Sequence, residues 1–272
     1  MNISELKRAI QNGQTVFGTL IVSTSPHWPA HLKNSGLDFV FLDTEHIVLN
    51  RETLSWMCRA YGAVGLAPVV RVPSPDPYAA CQALDGGAEG IVAPYVETVE
   101  QVQALRGAVK LKPIKGKRLE RALQGDEELE EELREYIDDR NRNNLLLVNI
   151  ESIPAIENLD TILAVPDLDG ILVGPHDLSC SLGIPEQYEH PRFIEALRTI
   201  VHKTRECGLI AGIHFMNCGS VSLAAQWIEM GINLHIQHAD IVYVTRGLSQ
   251  ELQAIRSAVG QESLGKSEAI IV

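Results

Sequence analysis

Four places in this sequence carry residue types that can move protons, hold a cation or bind an anion. The first is Asp43-Thr44-Glu45-His46, with three titratable side chains in four residues. A carboxylate can orient an imidazole, which then moves a proton near neutral pH. Asp43 and His46 are therefore a candidate acid–base dyad with Glu45 adjoining; the plainer alternative is a histidine satisfied by a neighbouring carboxylate. The second is Arg71, which can bind a carboxylate or steady an enolate oxygen, or simply pair with Asp43 or Glu45. The third is Glu151 with Asp177, the latter in Gly174-Pro175-His176-Asp177. Two carboxylates at one point, with no cysteine and no histidine cluster, favour Mg2+ or Mn2+ over structural zinc. The alternative is that each carboxylate caps the helix after it. The fourth is His214, followed later by Gln237, His238 and Asp240.

These groups act together only if the chain brings them to one place. Eight short apolar, β-branched runs recur: Thr15–Val22, Asp38–Leu42, Ala67–Val72, Gly90–Ala93, Leu145–Ile150, Gly170–Val173, Leu209–Ile213 and Asn233–Ile236. Each is nearly continuous in hydrophobicity, as a parallel strand buried on both faces must be. Helical spacing fills the gaps, best in Ser55–Tyr61, Pro77–Leu84, Val99–Val109, Pro191–Cys207 and Ser220–Met230, and Gly36, Gly87, Gly208 and Gly231 stand at helix ends. Eight β–α units predict a (β/α)8 TIM barrel forming one domain over residues 1–272. No Gly-x-Gly-x-x-Gly follows the first run, which argues against a dinucleotide fold. The run 126–142 breaks the rhythm and reads as a solvated helix before the fifth strand. In such a barrel the C-terminal strand ends carry the chemistry, and the groups above all fall there.

Composition narrows the function. Net charge is −12, and the only basic cluster, Lys110 to Arg121, is followed directly by an acidic stretch. A nucleic-acid partner needs a basic surface and is excluded on this ground. The five cysteines are odd in number and form no Cys-x-x-Cys pair, which fits reduced thiols in a cytoplasmic protein. The N-terminal segment is an amphipathic helix without the apolar run of a signal peptide, and no window approaches a membrane span. All eight lysines fall outside the predicted strands. An imine mechanism needs a lysine inside the barrel, so enolate stabilisation is expected to come from a metal.

The motifs FVFLDTEH (39–46), PVVRVP (68–73), LDGGAEGIVAPYVET (84–98), VNIES (148–152) and VGPHDLSCSLG (173–183) together resemble the HpcH/HpaI aldolase/citrate lyase family. Within it the chain looks like the metal-dependent class II pyruvate aldolases of the 4-hydroxy-2-oxo-heptanedioate and 2-keto-3-deoxy-sugar-acid type, over about Leu6 to Arg256. The resemblance implies Glu151 and Asp177 as ligands of a divalent ion, Mg2+, Mn2+ or Co2+. It implies Arg71 on the pyruvate keto oxygen, and His46 with Asp43 as a dyad working through water, beside Glu45. The main chain at Gly174, Pro175 and His176 would hold the substrate carboxylate. It further implies a homohexamer of dimers that exchange a last helix near Val244–Val259. The chain departs from the family at Gly116-Lys117-Arg118-Leu119, where a Gly-x-Arg-Gly loop is common, and at His176 and His214. All three are expected on the side of the site that receives the aldehyde. The reaction expected is reversible cleavage of a 4-hydroxy-2-oxo acid to pyruvate and an aldehyde. Rival readings are an oxaloacetate decarboxylase or macrophomate-synthase-like enolate enzyme, a CoA-ester lyase, and a barrel that binds a 2-oxo acid without turnover.

Overall fold

The computed structural model describes residues 1–216 and 218–261; the end of the expected 1–272 domain, 262–272, lies outside the described residues. Its elements run α1 (Ile3–Gln11), β1 (Val16–Leu20), α2 (Trp28–Leu32), β2 (Phe39–Asp43), α3 (Arg51–Ala63), β3 (Ala67–Arg71), α4 (Pro77–Gly86) and β4 (Gly90–Ala93). There follow α5 (Val99–Lys110), α6 (Gly116–Gln124), α7 (Glu131–Asn141), β5 (Leu145–Asn149), α8 (Ile153–Glu157), α9 (Leu159–Leu163) and β6 (Gly170–Val173). The series closes with α10 (Pro175–Ser181), α11 (Pro191–Glu206), β7 (Ile210–Phe215), α12 (Val221–Glu229), β8 (Leu234–Ala239) and α13 (Asp240–Ala258). The eight strands form one closed barrel in sequence order, β8 pairing back to β1, and every pairing is parallel. This is the expected (β/α)8 barrel.

Two buried layers explain why the strands read as continuous apolar runs. Val40, Leu42, Val70, Ile91, Leu146, Val148, Ile171 and Ile213 pack outward against the helices. Phe39, Phe41, Ala67, Val69, Leu145, Leu147, Leu172 and Ile210 pack inward, and α1 closes the N-terminal end of that layer with Ile3, Leu6 and Ile10. Side chains alternate along a strand. Continuing the inward series upward by twos gives Asp43 on β2, Arg71 on β3, Asn149 on β5 and Glu151 just past it, Gly174 after β6 and His214 on β7. The residues singled out for chemistry thus continue the apolar floor into a polar mouth.

The excursion between α5 and β5 corrects one expectation. Residues 116–119 are not a loop over the acceptor side; they open helix α6. Leu119 and Leu123 pack on Gly107 in the last turns of α5, and with Leu129 and Leu133 of the α7 region they cover Leu111, Ile114 and Ile137. Arg118 is held by Glu127 and Glu130. The end of α5 lies at the N-terminal end of the barrel, because Lys110 bonds Asn144 O and Asp169, just before β5 and β6. Arg118 and Leu119 are therefore remote from the mouth of their own barrel. The expected solvated helix in 126–142 is α7, largely exposed.

Helix α13 starts at Asp240, whose carboxylate accepts from Val22 N, Ser23 N and Trp28 Nε1 and pins the helix start to the loop after β1. Beyond that anchor it buries only Val242. Ile241, Val244, Leu248, Leu252, Ile255 and Val259 form an exposed stripe at spacings of three and four. On the outer face of β1, Phe17 is also exposed.

Candidate active site

The mouth is organised around a cross-strand pair that only the register reveals. Asp43 and Arg71 are paired neighbours on β2 and β3, both facing inward. Arg71 Nε donates to Asp43 Oδ1 at 2.9 Å and Nη2 to Oδ2 at 2.6 Å, a bidentate bond between two buried groups. Burial alone would raise the Asp43 carboxyl, but the Arg71 hydrogen bonds and charge hold it below the ordinary carboxylate value. For Arg71, burial opposes the cation and is outweighed by Asp43, with Glu45 and Glu151 adding, so its pKa is raised. The guanidinium also lies over the Phe41 ring, 5.6 Å from its centroid.

Glu45 extends this pair outward. Its Oε2 lies 3.0 Å from Arg71 Nε, yet at no hydrogen-bonding angle, because that N–H is aimed at Asp43. Its Oε1 is 3.6 Å from His46 Nε2, and the His46 side chain is 58% exposed. Asp43 thus places both oxygens on Arg71 and accepts from Glu45 N through Oδ1, and the carboxylate that meets His46 is that of Glu45.

Across the mouth, Glu151 is buried. It does not cap the following helix: Ser152 does, accepting from Ala155 N. Glu151 Oε1 accepts from Tyr95 N at 2.9 Å, and Oε2 from Asn149 Nδ2 at 2.7 Å. Burial nevertheless pushes its carboxyl up to about 7, with the negative charges of Asp177 and Glu45 adding. Asp177 sits in the first turn of α10, whose N-cap Gly174 offers no side chain. A Cβ on Gly174 would come 2.7 Å from Glu151 Oε2 and 3.4 Å from Asp177 Oδ2. Gly174 is thus the gap that lets the two carboxylates converge. Among the described residues no group of three or more His, Cys, Asp or Glu side chains is arranged to hold a metal, so any ion here rests on this pair. Two like charges drawn together, one in a buried setting, fit a divalent cation. So does Asn149 Oδ1, a buried acceptor with no partner beside Glu151.

His214, expected on the acceptor side, lies near the end of β7. Its ring meets the edge of Phe41 at 5.4 Å, beside Arg71, so the two share one floor. Burial lowers its pKa to about 3, and the Arg71 charge adds. It is thus a neutral imidazole that hydrogen-bonds the main chain of His238, and its enclosed Nε2 has no partner. His176 is exposed, with Nδ1 3.8 Å from Glu186; only its main chain belongs to the turn beside Glu151. Tyr95 and Asn149 were not singled out from the sequence, yet both touch Glu151. Asn149 could have been found by stepping two back from Glu151. Tyr95 has a φ of +53°, which no residue type announced. The interaction of its hydroxyl with the Glu45 carboxylate first, then burial, pushes its pKa up to about 12.

Among the described residues no lysine lies on a strand, and no helix is long and apolar enough to cross a membrane. The profile of the HpcH/HpaI aldolase/citrate lyase family matches residues 17–238. A 2-keto-3-deoxy-L-rhamnonate aldolase of Klebsiella pneumoniae subsp. pneumoniae is 29% identical over 94% of both chains. The crystal structure of the citrate synthase SbnG superposes with a TM-score of 0.79 at 28% identity, covering 94% of this chain and 99% of that one. The structure of macrophomate synthase superposes with a TM-score of 0.76 at 26% identity, covering 95% and 90%. The barrel, its polar mouth and these matches agree: the chain is a carbon–carbon lyase and belongs to the HpcH/HpaI aldolase/citrate lyase family.

Proposed function

We propose that this protein is a divalent-metal-dependent aldolase that cleaves a 4-hydroxy-2-oxo acid to pyruvate and an aldehyde, reversibly. The observation that carries this reading is the buried Glu151, converging with Asp177 at one barrel mouth and facing the Arg71–Asp43 pair. Glu151 and Asp177 would hold Mg2+, Mn2+ or Co2+. Bound there, the ion supplies a Lewis acid for the 2-oxo group and a template for the oxo acid. Arg71, fixed by Asp43 on two of its N–H groups, keeps others free for the 2-oxo oxygen and then for the enolate oxygen. The main chain at Gly174, Pro175 and His176 lines the position of the substrate carboxylate. His46, exposed to solvent and steadied by Glu45, takes the C4 hydroxyl proton through a water molecule. The C3–C4 bond then breaks, the aldehyde leaves, and the enolate takes a proton at C3 to give pyruvate. Similarity to the 2-keto-3-deoxy-L-rhamnonate aldolase supports a hydroxylated, sugar-derived aldehyde. His214, neutral with a free Nε2 lone pair, is suited to accept a hydrogen bond from a substrate hydroxyl.

The exposed stripe of α13 and the exposed Phe17 support an assembly in which copies exchange this helix, as in a hexamer of dimers. Five free cysteines support a reducing, cytoplasmic setting. The decisive experiment is pyruvate release, coupled to lactate dehydrogenase, from a panel of 4-hydroxy-2-oxo acids with Mg2+, Mn2+ or EDTA; oxaloacetate serves as a parallel substrate. Release from the hydroxy-oxo acids that EDTA abolishes is expected. Activity untouched by EDTA, or confined to oxaloacetate, would overturn this reading.

A further inference from the structure

We propose that Glu97 is a positioning residue for the cation site: through the Ser152 hydroxyl it fixes the turn that carries Glu151, and so sets Glu151 against Asp177. The proposal rests on the reading of Glu151 and Asp177 as cation ligands and adds a residue behind them. Glu97 lies in the loop between β4 and α5, two residues after Tyr95. Glu151 and α8 follow β5, the neighbouring strand. The two loops are joined at three points. Tyr95 N donates to Glu151 Oε1 at 2.9 Å, Ser152 Oγ to Glu97 Oε1 at 2.6 Å, and Asn158 Nδ2 to the Glu97 carbonyl at 2.8 Å. Ser152 is the N-cap of α8 and Asn158 its C-cap. One residue thus grips both ends of the helix that starts directly after Glu151-Ser152.

Chemistry fixes the direction of the side-chain bond. A carboxylate only accepts, so Ser152 donates its single proton to Glu97, while a lone pair of the same oxygen caps Ala155 N at 3.3 Å. At 2.6 Å the bond is of the short, charge-assisted kind. Glu97 is itself held in place. Its N–H donates to Gln101 Oε1 at 2.8 Å, the acceptor that also takes Thr98 N in the capping box of α5. On the far side of the turn, Ile153 N donates to Ser181 Oγ at 3.0 Å. Ser181 lies on α10, one turn beyond Asp177. The turn Glu151-Ser152-Ile153 is therefore held between the β4 loop and the helix that bears Asp177. Removing the Glu97 carboxylate should free the start of α8 to shift, and Glu151 with it. Arg71 and Asp43 bond each other and should stay in place.

The test is calorimetric Mn2+ affinity, with no substrate present, in Glu97→Ala, Glu97→Gln, Ser152→Ala and the double variant of Glu97→Ala with Ser152→Ala. Glu97→Ala should weaken Mn2+ binding about tenfold, the lower end of the range for a disturbed ligand support. Glu97→Gln should stay within about twofold of the wild type, because its amide oxygen can still accept the Ser152 proton. The double variant should bind no more weakly than Ser152→Ala alone, since the two side chains act through one bond. Unchanged affinity in Glu97→Ala, or losses that multiply in the double variant, would overturn the proposal. So would equal losses in Glu97→Ala and Glu97→Gln, because the charge of Glu97 and not its bond would then act on the ion. A wild type that binds no Mn2+ would instead sink the cation-site reading. In that case amide hydrogen exchange in EDTA, read by peptide mass, decides whether Glu97 positions the Glu151 turn. Peptides spanning 151–158 should exchange faster in Glu97→Ala and at the wild-type rate in Glu97→Gln; an unchanged rate in Glu97→Ala would overturn the proposal.

Discussion

Glu151→Gln tests the cation site without asking for turnover. In the metal-free protein, burial lifts the Glu151 carboxyl from its ordinary 4.5 to about 7. The folded pKa is raised, so between those values the folded protein binds more protons than the unfolded chain. The stability tied to this group is therefore complete below about 4.5 and is lost as pH rises through about 7. At about 1.4 kcal/mol per pH unit, the buried charge costs ~3 kcal/mol at pH 8. Gln has the same shape without the charge. Its carbonyl can keep the Tyr95 N–H, and turning the Asn149 amide presents Oδ1, now a buried orphan, to the new NH2. In EDTA at pH 8 the variant should melt higher, by ~5–10 °C for a chain of this size, and the gain should vanish near pH 4. Added Mn2+ should reverse the order, stabilising the wild type by ~4.1 kcal/mol at a thousand times its Kd and the variant hardly at all. Scanning calorimetry across pH, with and without Mn2+, measures both. A variant no more stable than wild type at pH 8 in EDTA, or one that Mn2+ stabilises equally, would refute the reasoning.

Gly174→Ala places a Cβ 2.7 Å from Glu151 Oε2; a carboxylate held by two donors must shift, and calorimetry should show ~10–100-fold weaker Mn2+ binding, the scale of a disturbed ligand shell. Arg71→Lys keeps the charge but loses the fork that Asp43 holds, so exchange of pyruvate methyl protons with D2O, followed by NMR, should fall ~10²–10³-fold. His214→Leu removes the Nε2 lone pair beside Arg71 and should reduce the preference for hydroxylated over apolar aldehydes, read by competition, with proton exchange largely retained. Leu248→Glu with Leu252→Glu puts charge on the exposed stripe of α13, and sedimentation should show the assembly falling toward monomers while the wild type does not.

The strands were legible because a parallel barrel strand is buried on both faces and cannot help reading as an apolar run. Their ends were not. β7 runs on to Phe215 and β8 to Ala239, beyond the expected Ile213 and Ile236, because His214, Gln237 and His238 look like loop residues. At a barrel mouth the last inward positions are polar by function, so hydrophobicity fades before the strand does. Helix α6 was missed for a related reason: Gly116-Lys117-Arg118 reads as a turn, and its fixing contacts, Leu119 and Leu123 on Gly107, are tertiary. Residue identities within single motifs carried most of the candidate site. What they could not carry was pairing between motifs. Asp43 lies three residues from His46 and 28 from Arg71, yet the β2–β3 register sets it opposite Arg71, a cross-strand ion pair that no spacing within one motif announces.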